Sequence, residues 1–168
     1  MEKVLSKEEI QFLINESKNE HYKNSKIIHP SFIKTHIMRV SPKEGLILFY
    51  GNDDTGFVHI HERHCSSSLK PFWKEEKKID DPSKFHRSIV PIIHYLEIAE
   101  EIFKPENLNI ELNKNPERFD LYIGKATVNN FLEDYKLLLY KNTRIIHNLF
   151  PTSSKYKLKK KTKEFYRG

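Results

Sequence analysis

Two apolar runs near the end of the chain, residues 135–140 and 144–150, are separated only by Lys141-Asn142-Thr143. So short a connection joins antiparallel neighbours, because parallel strands need a crossover of about a dozen residues or more. The closing third is therefore expected to hold an antiparallel hairpin, and the rest of the chain has to pack on it. Upstream, residues 108–112 and 119–123 alternate apolar and polar positions around a turn at 113–116. This predicts a further strand pair, with Gly124-Lys125 ending its second member.

The first half reads as mainly helical. Ser6-Lys7-Glu8-Glu9 has the form of a capping box, and Ile10, Leu13 and Ile14 supply an apolar face, so a helix is predicted over 6–20. Pro30 and Pro42 interrupt any long element over 21–42, where His29 and His36 read as surface or packing residues. The run 46–50, ended by Gly51-Asn52-Asp53-Asp54, predicts a strand and a turn. Ser66-Ser67-Ser68 through Pro71 reads as a loop, with Phe72 and Trp73 as packing anchors. Asp81-Pro82 marks a helix start, and Phe85, Ile89, Ile92, Ile93, Leu96, Ala99, Ile102 and Phe103 repeat at helical spacing beyond it. Pro91 is expected to kink or split this helix, on which His86 and His94 ride as solvated positions. The expectation is one α+β domain over 1–168, with N-terminal and central helices packed on an antiparallel sheet of about four strands.

Hydrophobic residues make up only 38% of the 168 positions, but 11 Phe and 8 Tyr can build a core with few aliphatics. Lys and Arg outnumber Asp and Glu by 29 to 23, a formal charge of +6 that favours a polyanionic partner. Part of that charge lies in a basic tail over 154–168, where Lys155 and Lys157 are candidate nucleic-acid contacts. Cys65 is the only cysteine, which excludes an intrachain disulfide and fits a cytoplasmic site of action. No apolar run reaches membrane-spanning length, and Met1-Glu2-Lys3 does not open a signal peptide. A piece released from a longer, delivered protein would read the same way.

The chemistry concentrates in Gly56-Phe57-Val58-His59-Ile60-His61-Glu62-Arg63-His64. Imidazoles near a fixed cation suit proton transfer, metal binding or anion binding. The spacing of His59, His61 and His64 resembles the H-x-H-x-D-H signature of metallo-β-lactamase-type hydrolases, but Arg63 replaces the aspartate ligand. His61-Glu62-Arg63-His64 is also one residue short of H-E-x-x-H. Read as a strand, the block would point His59 and His61 one way and Ile60 the other. A metal-free alternative is cleavage of RNA through its own 2′-hydroxyl. That reaction needs a base, an acid and a cation for the phosphorane, and no cofactor. A non-catalytic nucleic-acid-binding module is the third reading.

Gly56, His59, Ile60, Arg63 and His64, then Phe72-Trp73, Asp81-Pro82 and the closing Asn148-Leu149-Phe150-Pro151-Thr152, form a series. It resembles the toxin-type nucleases of the barnase/EndoU/colicin/RelE-like (BECR) fold. The resemblance spans residues 46–153; Asn148 stands where threonine is usual, and His61 is extra to the pattern. It implies helices ahead of an antiparallel sheet and a metal-independent endoribonuclease acting as a toxin or effector. By the same resemblance His59 and His64 are the acid–base pair and Arg63 a phosphate clamp, while His61, outside the pattern, is kept as a supporting candidate for its place beside them. Thr152 brings a hydroxyl to the scissile phosphate, and Arg144 or Lys141 a second cation, with Lys125 a further contact. The implied partners are RNA, tRNA among the candidates, and an acidic neutralising immunity protein.

Overall fold

The computed structural model describes residues 3–24, 32–65 and 83–152. His29, Pro30, the 66–71 loop, Phe72-Trp73, the Asp81-Pro82 helix start and the basic tail with Lys155 and Lys157 lie outside these ranges. The capping box forms as expected. Ser6 Oγ accepts from the Glu9 N–H at 3.2 Å while the Glu9 carboxylate accepts from the Ser6 N–H at 2.9 Å. Helix α1 (Lys7–Glu16) follows and buries Leu13. A single turn, α2 (His21–Asn24), leads to β1 (Ile37–Val40) and β2 (Ile47–Phe49), which pair antiparallel.

The closing hairpin is present and longer than its sequence signal. Strands β3 (Phe119–Val128), β4 (Phe131–Tyr140) and β5 (Ile146–Pro151) form an antiparallel sheet in that order. Strand β3 does not stop at Gly124-Lys125. Its register with β4 continues unbroken to Val128 opposite Phe131, and Asn129 and Asn130 close the hairpin with φ of 51° and 62°. Two consecutive left-handed residues give a turn whose twist matches the strands. The strand expected over 108–112 does not form. Leu108 bridges Tyr122 and the Asn109 N–H donates to the Leu121 carbonyl at 2.9 Å, but Ile110 is 76% exposed. The sheet of about four strands is thus replaced by sheets of two and three strands. They meet where the Ile47 N–H donates to the Arg144 carbonyl at 2.8 Å.

The long helix expected from residue 82 begins only after Pro91, as α4 (Ile93–Ile102), with residues 83–92 in turns and irregular backbone. Pro91 offers no N–H, and Ile92 takes a φ of 73°, so the backbone resets there before the helix starts. Helix α4 buries Tyr95, Leu96, Ile98, Ala99 and Ile102 in a cluster with Leu137, Leu139, Ile146 and Leu149 of the sheet. His94 rides on α4, while His86 lies off the helix and stacks on Phe131 at 4.0 Å. A second cluster gathers Leu13, Ile37, Phe49, Phe119 and Tyr140 under α1.

The histidine block is a helix, α3 (Gly56–His64), not a strand. Its entry depends on two glycines. Gly51 and Gly56 have φ of 75° and 77°; a Cβ on Gly51 would sit 1.9 Å from the Thr55 carbonyl oxygen, and one on Gly56 2.9 Å from the Phe49 ring. The turn thereby sends the chain from β2 directly into α3, which lies along β5. Among the described residues no helix is long and apolar enough to cross a membrane.

Candidate active site

Helical spacing sorts the side chains of α3. Gly56, Ile60 and His64 recur every fourth residue and are buried. His59 and Arg63 flank that face on one side, and Phe57 and His61 on the other. The His64 ring stacks on Phe150 of β5 at 4.9 Å and meets the His59 ring edge to face, centroids 5.4 Å apart. Each of these two imidazoles has Nδ1 against a backbone carbonyl: His59 on Asp53 at 2.7 Å, His64 on Ser83 at 2.8 Å. A carbonyl only accepts, so Nδ1 carries the proton in both. The Nε2 lone pair is left as the basic position of each neutral ring. Burial pulls His59 below the usual histidine value and the Arg63 charge adds to this, against the Asp53 carbonyl and the Asp54 and Asp53 carboxylates.

His61 belongs to a different environment. It lies flat on Phe57 at 5.1 Å, with Nδ1 3.5 Å from the Tyr95 hydroxyl. A hydrogen bond with the Cys65 thiol raises its pKa against the effect of burial, helped by the Cys65 and Glu62 charges. His59, His61 and His64 therefore do not converge on one point. Among the described residues no group of three or more His, Cys, Asp or Glu side chains is placed to hold a metal ion.

The other candidates fall at the two ends of the sheet. Near the Phe150 end, Lys125 pairs with Asp134 at 3.0 Å, and the Thr152 N–H donates to the Asp134 carbonyl at 2.9 Å. Near the β4–β5 turn, Lys141 pairs with Asp120 at 3.5 Å. Arg144 lays its guanidinium over Phe103 at 4.9 Å and donates to the Glu44 carbonyl. These contacts draw Arg144 and Lys141 to the turn and to the end of α4, rather than to the seam between α3 and β5. Arg63 stays in that seam, on the His59 flank, where its charge acts on the imidazole.

A further imidazole lies near His59, and sequence reasoning passed over it. Ile146 lies opposite Leu139 and Asn148 opposite Leu138, so His147 is the extra residue of a bulge in β5. Its ring stacks on Phe119 at 4.0 Å and its Nδ1 meets Thr55 Oγ1 at 2.8 Å. Burial pushes its pKa down to about 3, with the nearby His59 and Arg118 charges also opposing protonation. The local sequence gives no signal for this residue, because a bulge shifts a strand by one position without altering its composition. Comparison with protein-family models finds no match for the chain, and comparison with curated protein sequences finds none either.

Proposed function

We propose that the protein is a metal-independent endoribonuclease whose active site is the seam between α3 and β5. The observation that supports this most is the His59–His64 pair: rings 5.4 Å apart, each with Nδ1 on a carbonyl and Nε2 as its basic nitrogen. His59 is neutral at pH 7 because its pKa is depressed, which suits it to take the proton of the 2′-hydroxyl. His64, entering as the doubly protonated imidazolium, then gives its Nε2 proton to the departing 5′-oxygen, and Arg63 offsets charge on the phosphorane. The products carry 2′,3′-cyclic phosphate and 5′-hydroxyl ends. DNA, without the 2′-hydroxyl, is not cut.

The formal charge of +6 agrees with an RNA partner. A toxin or effector of this charge calls for an acidic neutralising protein in the cell that makes it. The test is cleavage of RNA in EDTA by the wild type and by His59→Ala and His64→Ala, with thermal melts to confirm that the variants fold. Cleavage by the wild type, lost in both variants, is the expected result. RNA binding without any cleavage would make the chain a binding module instead. Activity that EDTA abolishes and zinc restores would make it a metal-dependent hydrolase.

A further inference from the structure

Thr55 occupies the N-cap position of α3, where a threonine hydroxyl ordinarily accepts from the second or third N–H of the helix. Here its side chain makes no cap hydrogen bond, and the third N–H, that of Val58, donates instead to the Tyr50 carbonyl at 2.9 Å. The cap is thus served by backbone, and the hydroxyl is turned inward. It lies 2.6 Å from the Tyr140 hydroxyl and 2.8 Å from His147 Nδ1, and the Tyr140 oxygen in turn accepts the Leu5 N–H at 3.1 Å.

Counting protons gives this chain a direction. The Leu5 amide can only donate, so Tyr140 uses its oxygen as acceptor there. Tyr140 is 1% exposed, and among the described residues Thr55 is the sole acceptor within its reach. The Tyr140 hydroxyl therefore donates to Thr55, and the Thr55 hydroxyl donates to His147 Nδ1. The reverse order would bury a hydroxyl proton with no partner, which costs about 1–3 kcal/mol. His147 Nδ1 is consequently an acceptor, and the proton of the neutral ring sits on Nε2.

We propose that the Leu5–Tyr140–Thr55 relay holds His147 as its Nε2–H tautomer, making it a neutral hydrogen-bond donor to a non-bridging oxygen of the scissile phosphate. The donor role rests on the ribonuclease reading above; the tautomer does not. The Phe119 stack, 8° from parallel, fixes the ring plane, so the donor is preorganised before substrate arrives. The depressed pKa of His147 agrees with a ring that stays neutral throughout the reaction. Thr55 and Tyr140 are positioning residues for it.

Two measurements test the two halves separately. Histidine-selective nitrogen NMR of the wild type at pH 7 should give His147 the Nε2–H pattern and His59 the opposite, Nδ1–H pattern. The Nδ1–H pattern at His147 overturns the relay. In RNA cleavage, His147→Asn keeps an acceptor towards Thr55 but loses the Nε2 donor, and the rate should fall about 100-fold. His147→Gln keeps a donor near that position and should retain most of the activity. Thr55→Val should mix the tautomers in the NMR spectrum and slow cleavage, and Thr55→Ser should restore both. Should the Asn variant fail to fold, the Thr55 pair and the wild-type spectrum still decide. Full activity in folded His147→Asn overturns the donor role and leaves the ribonuclease standing. A wild type that cuts no RNA overturns the ribonuclease and the donor role together, and the spectrum alone then judges the tautomer.

Discussion

The imidazoles of α3 and the imidazole of β5 are the same side chain held in opposite ways. On α3, His59 and His64 meet carbonyl oxygens and keep Nε2 basic. On β5, His147 meets a hydroxyl whose own proton has nowhere else to go, and Nε2 becomes a donor. The first atom that Nδ1 touches sets the chemistry of the far side of the ring. A histidine-rich site can thereby hold bases and donors side by side at one pH.

The largest effect that would break this contrast is at the α3 pair. His59→Ala and His64→Ala should each lower RNA cleavage by about 10²–10⁴-fold, the range for a lost general acid or base. A loss below tenfold in both would remove them from the chemistry. Next comes the entry to α3. Gly56→Ala should cost about 2 kcal/mol in urea unfolding, because φ of 77° and the Phe49 ring both oppose a Cβ. An unchanged midpoint would mean that the turn relaxes easily.

Acid should separate the two regions. His147 is neutral in the fold down to about pH 3 but titrates near its usual 6.5 when unfolded. The unfolded state then binds the extra proton, so stability is full above pH 6.5 and falls as pH drops towards 3. The slope is about 1.4 kcal/mol per pH unit at most, and His147→Asn should flatten it in denaturation series between pH 4 and 6. The lowered pKa of His59 similarly places the acidic limb of the cleavage profile below pH 6.5. The smallest effect is expected at His61. His61→Gln should leave cleavage unchanged and cost about 0.5–1.5 kcal/mol through the lost Phe57 stack. A large rate loss there would move His61 into the site.

Local chemistry made some of this architecture legible in advance. Ser6 and Glu9 announce α1, Pro91 limits α4, and the tight connection after Tyr140 announces the last hairpin. Each of these signals rests on hydrogen bonds within a few residues. The misreadings arise where long-range contacts decide. Leu108, Ile110 and Leu112 alternate like a strand but are all exposed, because only one bridge ties the segment to β3. Val58, His59, Ile60 and His61 look like a strand until Gly56 and the burial of Ile60 and His64 make a helix of them. In the proposed site, His59, Arg63 and His64 stand in the block that carries the family resemblance, whereas nothing in the sequence singles out Thr55, Tyr140 and His147. Their partnership joins Thr55 to residues 85 and 92 positions further along the chain, and one of its members stands in a bulge.

That bulge also bears on how related chains should be aligned. Dropping one residue between Tyr140 and Pro151 would restore regular pairing of β5 with β4 and would delete the position that His147 fills. Chains with this site should therefore differ from chains without it in the length of the last strand, and an alignment that closes that gap would hide the distinction.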